Sequence, residues 1–263
     1  MVEVITKPAQ ATQTRTVTIR RNALSSAKLV PEVSEEWHVV DQYRRIIRPI
    51  IERQNALNTA QDIAARLCLV TSALSGDGKT FASMNLALSI ARDRSYTVLL
   101  VDGDVAKRHL SHLLGVEKEM GLMDALGNEA VDVESLVLPT NIPGLNILSA
   151  GRGRVGATEL LLGAHMEEVM GCLSQWDRDR IVIIDSPPLL LSAESRALTH
   201  VVGQIVLVVR AGVTPQSAVT EAMSQFSHGK LTGVLFNQKL ALTDTYGRYG
   251  TYGDQGAPVD NSK

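Results

Sequence analysis

LCLVTSALSGDGKT, residues 67–80, is the stretch that decides the fold of this 263-residue chain. It opens with a short apolar run, as expected of a buried strand, and continues into a glycine-rich loop at residues 73–80. A helical pattern follows at residues 81–93. A strand, a loop that ends in Gly-Lys-Thr and a helix, in this order, are the setting of a phosphate-binding P-loop, although Ala73 stands where the usual motif has Gly.

The residue types of this loop suit a Mg²⁺-bound nucleotide. Glycines let successive backbone N–H groups turn towards phosphate oxygens, and the start of the helix adds partial positive charge. We expect Lys79 to contact the β- and γ-phosphates and the Thr80 hydroxyl to coordinate Mg²⁺. Arg210 and Asn237 follow later strands, and they either approach the nucleobase or only end those strands. The predicted nucleotide contacts are Ser75, Gly76, Asp77, Gly78, Lys79, Thr80 and Phe81, with Arg210 and Asn237 near the base.

Further short aliphatic runs alternate with longer helical segments along the chain. Runs that are almost wholly apolar are typical of parallel strands covered on both faces. The alternation predicts an α/β fold of the P-loop NTPase type, a doubly wound and mostly parallel sheet with helices on both faces. The predicted strands are residues 67–71, 97–101, 145–149, 180–185, 204–209 and 234–236. Before them we predict two helices, 34–48 and 50–65, separated at Pro49.

Acidic residues follow two of these strands directly. Asp102 and Asp104 come after one apolar run, and Asp185 comes after another. Ligands of open α/β sheets bind at the carboxyl ends of the strands, and Mg²⁺ prefers oxygen ligands. We therefore predict Thr80, Asp104 and Asp102 as candidate metal ligands, and we expect one carboxylate to accept a proton during catalysis.

Composition excludes several other classes of protein. The net charge of −2 argues against a broad nucleic-acid-binding surface, so no nucleic-acid partner is expected. The two cysteines form no CxxC pair, and the six histidines form no zinc-binding pattern. No apolar stretch reaches the length of about 18–20 residues that spans a bilayer. We expect a cytoplasmic protein whose membrane association comes through a partner.

Pattern changes divide the chain into three parts. Residues 1–34 show no sustained periodicity and are predicted to be a flexible arm. Residues 35–242 form the P-loop domain. Residues 243–263 are rich in glycine and contain three tyrosines, and we predict a disordered tail.

Three motifs together resemble those of bacterial protein-tyrosine kinases, the enzymes that accompany capsule and exopolysaccharide export. SALSGDGKT, LLVDGD and IVIIDSPP look like the Walker A, Walker A′ and Walker B motifs of that family. The resemblance implies an ATP- and Mg²⁺-dependent kinase domain that phosphorylates protein tyrosines. It implies a catalytic set of Lys79, Asp102, Asp104 and Asp185, with Asp102 activating the tyrosine hydroxyl. Ala106 stands where the family often has Arg, which leaves Lys107 or Arg108 to supply that charge.

Two further features match this family. Gln42, Arg45 and Arg48 resemble a helix motif that packs one subunit against its neighbour, which implies a homo-oligomeric ring. The tail resembles the family's tyrosine cluster, which is phosphorylated between subunits. The predicted phosphorylation sites are Tyr246, Tyr249 and Tyr252. Since the chain shows no membrane segment, the resemblance implies a separate membrane activator of the chain-length-determinant class, which recruits the kinase to the inner face of the membrane.

Two other functions stay open at this point. A partitioning or cell-division-positioning ATPase of the ParA/MinD type has the same fold and aspartates, but its signature lysine position is Leu74 here. A nucleotide-switched adaptor without kinase activity would use ATP only to control assembly.

Overall fold

A computed structural model describes residues 16–26, 36–56, 63–152, 156–175 and 179–238. Helices and strands alternate through most of this part of the chain, as the run pattern predicts. The elements are α1 (Arg21–Ser26), α2 (Glu36–Ala56), β1 (Leu67–Ser72), α3 (Lys79–Ala91), β2 (Thr97–Asp102), α4 (His109–Leu114), α5 (Leu122–Leu126), β3 (Leu138–Pro139), β4 (Leu145–Leu148), α6 (Ala157–Leu162), α7 (Ala164–Gln175), β5 (Arg180–Asp185), α8 (Ala193–Val201), β6 (Gln204–Arg210), α9 (Gln216–Met223) and β7 (Leu231–Asn237). Short 3₁₀ turns precede β1, β3 and β7.

The strands form one seven-stranded sheet in the order β3-β4-β2-β5-β1-β6-β7. Every neighbouring pair is parallel except β3 and β4. Because side chains alternate across a strand, each buried strand serves two cores. In β1, Leu67 and Leu69 pack beneath α5 to α9, whereas Cys68 and Val70 pack beneath α1 to α4. The predicted doubly wound α/β fold is confirmed.

Helix α2 runs through Pro49, so the prediction of two helices separated there is wrong. Tyr43, Ile47 and Ile50 form its buried stripe and pack in the core that α3 covers. A proline inside a helix removes one backbone hydrogen bond, at a cost of about 3 kcal/mol. Burying two isoleucines and a tyrosine is worth more than this, since each large apolar side chain contributes about 1.5–3 kcal/mol.

Part of the predicted N-terminal arm packs on the sheet. Within residues 16–26, Val17, Ile19 and Leu24 are buried in the core beneath α1 to α4. Val17 forms a parallel bridge with Thr140, beside β3. The side chain of Asn141 accepts a hydrogen bond from Ile19 N at 2.7 Å and donates one to Ile19 O at 3.2 Å. This segment therefore adds a short edge to the sheet, which the polar sequence of the arm did not predict.

The other differences from the sequence are small. Strand β3 is only two residues long and contains a proline, so no periodic pattern announced it. Strand β7 is longer than predicted, and α3 begins at Lys79 instead of Phe81. No helix among the described residues is both long and apolar enough to cross a membrane. The tail, residues 243–263, lies outside the described residues.

Candidate active site at the carboxyl edge of the sheet

The loop at residues 73–80, called the phosphate loop from here on, joins β1 to α3. Gly76 and Gly78 have φ values of 89° and 95°, in the left-handed region that favours glycine. A Cβ atom on Gly78 would lie 2.0 Å from Asn237 Nδ2, so the loop is closely packed at that point. Ala73 is fully buried and has no positive φ, so alanine fits where the usual motif has glycine. Backbone N–H groups before the start of α3 are suited to bind phosphate.

The carboxylates predicted from β2 and β5 meet beside this loop. Asp102 and Asp185 are paired in register on adjacent parallel strands. Asp185 Oδ2 accepts a hydrogen bond from Thr80 Oγ1 at 2.8 Å, and its Oδ1 accepts one from Ser83 Oγ at 3.0 Å. Burial, together with the negative charge of Asp102, raises the pKa of Asp185 to about 7. The site therefore joins the phosphate loop to both acidic strand ends.

Asp102 is fully buried and held by three donors. Its Oδ2 accepts hydrogen bonds from Ser111 N at 2.8 Å and Ser111 Oγ at 2.6 Å, and its Oδ1 accepts one from Asp104 N at 3.2 Å. Burial raises the pKa of Asp102, and the Ser111 hydrogen bonds oppose that rise. Asp104 is the most exposed of the three carboxylates, at 9%, and accepts a hydrogen bond from Lys107 N at 3.0 Å.

Lys79 stands at the first position of α3, among these carboxylates. Burial lowers the pKa of its ammonium group, while the negative charges of Asp185, Asp77 and Asp104 act in the opposite direction. The positive charge of Lys107 is close enough to lower that pKa further. Lys107, one residue after Ala106, therefore acts on Lys79 through its charge.

Asp77, predicted as a nucleotide contact, is turned into the protein. It is 3% exposed, and its carboxylate accepts hydrogen bonds from Leu74 N at 3.2 Å and Thr214 Oγ1 at 2.7 Å. Its backbone oxygen accepts a hydrogen bond from Asn237 Nδ2 at 2.9 Å. Asn237 thus lies beside the phosphate loop, and its amide nitrogen is engaged by the loop itself.

The remaining predicted nucleotide contacts are spread around the loop. Ser75 is exposed, and Arg210 is half-buried at the end of β6. The ring of Phe81 packs edge-on against Tyr43, with centroids 6.5 Å apart, so its side chain serves the contact between α2 and α3.

Sequence reasoning missed three residues of this site. They are Ser83, Ser111 and Thr214, whose hydroxyls bind the site carboxylates. Ser83 stands one helical turn after Lys79, and this spacing is the only signal that could have found it. Ser111 and Thr214 follow loops of no recognisable pattern.

The predicted subunit contacts lie on the face of α2 that points away from the core. Gln42, Arg45 and Arg48 are all exposed, whereas Tyr43 and Ile47 face the core. Arg48 Nε lies 2.7 Å from Glu52 Oε1, one turn along the helix. The predicted phosphorylation sites Tyr246, Tyr249 and Tyr252 lie outside the described residues.

The donor set fits a hard cation such as Mg²⁺. Hydroxyl and carboxylate oxygens of Thr80, Asp102, Asp104 and Asp185 come together at this edge, and the hydrogen bonds above link Thr80 to Asp185 and Asp102 to Asp104. Over the described ranges, no group of three or more His, Cys, Asp or Glu side chains is arranged to hold a metal ion. A Mg²⁺ ion here would rely on Thr80 and one or two of these carboxylates, together with phosphate oxygens and water, as Mg²⁺ commonly does at nucleotide sites.

Solved structures share this fold. The VpsO kinase domain is 27% identical, with a TM-score of 0.61, over 76% of this chain and 98% of that domain. The kinase domain of Escherichia coli tyrosine kinase ETK is 21% identical, with a TM-score of 0.67, over 95% of this chain and 89% of that domain. The cell-division ATPase MinD of Pyrococcus furiosus is 23% identical, with a TM-score of 0.52, over 65% of this chain and 71% of that protein. The last two likenesses show the P-loop fold alone.

Sequence relatives are more specific. No family profile matches the chain. EpsB of Ralstonia solanacearum is 35% identical over 216 residues, which cover 78% of this chain. This chain spans only 28% of the length of EpsB. Tyrosine-protein kinase CpsD of Streptococcus pneumoniae is 31% identical over 216 residues, which cover 80% of this chain and 93% of that protein. Tyrosine-protein kinase YwqD of Bacillus subtilis is 30% identical over 215 residues, which cover 80% and 86% of the two.

These relatives confirm the family predicted from the three motifs. The match to CpsD and YwqD runs over nearly the whole length of those proteins and spans the segment that carries the phosphate loop and the aspartates. On this sequence similarity and this shared fold, the chain belongs to the family of bacterial tyrosine-protein kinases.

Proposed function

We propose that the chain binds Mg²⁺-ATP at the phosphate loop and transfers the γ-phosphoryl group to tyrosine hydroxyls, first to Tyr246, Tyr249 and Tyr252 of a neighbouring copy. The observation that carries the proposal is the hydrogen bond from Thr80 Oγ1 to Asp185 Oδ2, at 2.8 Å. It joins the hydroxyl that a P-loop uses for Mg²⁺ to the acid at the end of β5. The catalytic set that we propose is Lys79, Asp102, Asp104 and Asp185.

The chemistry of transfer needs a cation and a proton acceptor from this chain. The tyrosine oxygen forms a bond to the γ-phosphorus, the bond from that phosphorus to the bridging oxygen breaks, and the hydroxyl proton leaves. Lys79, already in the field of three carboxylates, would stabilise the charge that spreads over the phosphoryl oxygens. Bound Mg²⁺, held by Thr80 with Asp104 and Asp102, would neutralise charge on the β- and γ-phosphates.

Asp102 is the proton acceptor in this proposal. Burial raises its pKa, which makes it a stronger base than an ordinary aspartate. Because Asp102 is fully buried, a tyrosine hydroxyl has to enter the site to reach it.

The biological process that we propose for this kinase is based on the family of its sequence relatives. Their names are those of tyrosine-protein kinases, and EpsB, CpsD and YwqD are matched in the segment that holds the site. We place the kinase in exopolysaccharide polymerisation and export. The exposed Gln42, Arg45 and Arg48 serve a homo-oligomeric ring, and a separate membrane activator recruits the cytoplasmic enzyme to the inner face of the membrane.

The partitioning-ATPase alternative is less well supported. Leu74, which stands where that class has its signature lysine, packs against the core beneath α5 to α9. A lysine there would have to leave this contact. The likeness to MinD is a likeness of fold.

Incubation with Mg²⁺-ATP, followed by mass-spectrometric mapping of phosphotyrosine, tests the proposal. Wild type is expected to carry phosphate on the tail, and Lys79→Met is expected to carry none. Lys118→Met, at an exposed lysine, is the matched control and is expected to behave as wild type. Phe at all three tail tyrosines should remove most of the label, whereas Tyr96→Phe should not.

Transfer between copies has its own test. Mixing Lys79→Met with the triple Phe variant should label only the tail of Lys79→Met. If wild type shows no phosphotyrosine, the assay is repeated with the cytoplasmic segment of a membrane activator fused to the chain. ATP hydrolysis without phosphotyrosine in both assays would overturn the kinase and favour the partitioning-type ATPase.

A further inference from the structure

We infer that Thr214 and Asn237 are positioning residues that set the conformation of the phosphate loop by holding Asp77. The inference rests on the proposed function, since it assumes that the loop binds a nucleotide. It concerns one residue in the loop after β6 and one at the end of β7, both far along the chain from the loop that they hold.

Asp77 is held at three points. Thr214 Oγ1 donates to Asp77 Oδ1 at 2.7 Å, and Leu74 N donates to Asp77 Oδ2 at 3.2 Å. Asn237 Nδ2 donates to the backbone oxygen of Asp77 at 2.9 Å. With only 3% of Asp77 exposed, its carboxylate is not a surface group available to phosphate, which it would also repel. Its role is therefore to fasten the loop.

Thr214 and Asn237 each accept a hydrogen bond from a backbone N–H group. Thr214 Oγ1 accepts a hydrogen bond from Arg210 N at 3.0 Å, so this hydroxyl both accepts and donates. The backbone oxygen of Asn237 accepts a hydrogen bond from Ala211 N at 2.9 Å. Both contacts tie the donors to the carboxyl end of β6. The position of Asp77 is thus fixed relative to the sheet through β6, which lies beside β1, and through β7, which lies beside β6.

The bond to the Asp77 carbonyl has a direct effect on phosphate binding. A trans peptide group is planar, and its C=O and N–H point in opposite directions. When Asn237 holds the oxygen of Asp77, the N–H of Gly78 is turned away from Asn237. Gly78 directly precedes α3, and its φ of 95° is open to glycine but strained for other residues. Asn237 therefore orients one of the N–H groups that a P-loop offers to phosphate.

This assignment differs from a direct contact between Asn237 and the nucleobase. A base contact would matter only for ligands that carry a base. A loop that is held in shape matters equally for a ligand that consists of phosphate alone. Magnesium pyrophosphate is therefore the probe that separates the two roles.

The experiment measures the binding of a fluorescent Mg²⁺-ADP analogue and its displacement by magnesium pyrophosphate. The variants are Thr214→Val and Asn237→Leu, which keep volume but remove the donor, and Thr214→Ser, which keeps the hydroxyl. Thr220→Val is the matched control, because its hydroxyl lies on exposed α9. Unfolding midpoints without ligand show which variants are folded.

We expect Thr214→Val and Asn237→Leu each to weaken the binding of both probes by about tenfold. This is the effect of losing about one hydrogen bond to a charged or fixed group. Thr214→Ser should keep the wild-type affinity for both probes, and so should Thr220→Val. A wild type that binds neither probe would refute the proposed function itself. If wild type binds both probes and Lys79→Met does not, the loop binds nucleotide and the positioning role can be judged by itself. Unchanged affinity of Thr214→Val for both probes would overturn that role. It would also be overturned if Asn237→Leu bound the ADP analogue more weakly but bound pyrophosphate as wild type does.

Discussion

Gly78→Ala should destabilise the folded chain through two separate effects. The first is backbone strain, because a φ of 95° in a non-glycine residue costs about 1–2 kcal/mol. The second is the contact with Asn237, whose Nδ2 would lie 2.0 Å from the new Cβ. The Asn237 amide must then move and lose its hydrogen bond to Asp77, at a cost of about 1 kcal/mol. The expected loss in the free energy of unfolding is therefore about 2–3 kcal/mol.

Gly76→Ala is the matched control for the strain. Gly76 has a φ of 89°, but nothing lies within 4 Å of a Cβ placed there, so only the cost of about 1–2 kcal/mol applies. Urea unfolding without nucleotide measures both variants, with the slope of each curve as the check on two-state behaviour. Adding Asn237→Ala to Gly78→Ala should relieve the contact, so the two losses should not add. Equal destabilisation by Gly76→Ala and Gly78→Ala would refute the reasoning.

Three further expectations follow from the same structure. Burial raises the pKa of Asp185 to about 7 from an ordinary 3.8, so without metal or nucleotide the stability of wild type should fall as pH rises from about 4 to 7. Asp185→Asn should flatten that slope in urea titrations at several pH values, and an unchanged slope would contradict the assignment. Glu134→Ala removes the carboxylate that lies 2.7 Å from Arg180 Nη1 in a pair whose side chains are only 5–6% exposed, so the free energy of unfolding should fall by about 3 kcal/mol. Glu129→Ala, at an exposed site, should change little, and a similar loss in both would count against a buried pair. Pro49→Ala restores a backbone donor within α2 and should raise the thermal midpoint, corresponding to about 1–3 kcal/mol, whereas a lower midpoint would show that the helix depends on the proline.

Local patterns predicted the sheet and the phosphate loop well. Strand β5 has the bounds that were read from the sequence, Arg180–Asp185, because its buried apolar run ends in an acid that needs a polar edge. The same logic brought Asp102 beside Asp185, in register on β2. Here residue type and spacing carry most of the information.

Long-range contacts set the rest of the site and of the fold. The hydroxyl of Thr214 reaches Asp77 across 137 positions of sequence, and no local pattern announces such a partner. Asp77 itself fits the loop motif, yet its side chain turns inward because the Thr214 hydroxyl, from the loop after β6, donates a hydrogen bond to it. Helix α2 continues past Pro49 for a related reason, since burial of Ile50 depends on a core assembled from other elements.

The paired hydrogen bonds between Asn141 and Ile19 act as one more rung of a β-ladder, made by a side-chain amide instead of a peptide group. Their consequence is that one alignment of the segment at residues 16–20 is favoured over a shifted one. Val17 and Ile19 point into the core while Thr18 between them is exposed, so a slip by one residue would exchange the buried and exposed positions. The same slip would leave the N–H and C=O of Ile19 away from the amide that satisfies both. Asn141 thus favours the alignment of this segment that the structure shows.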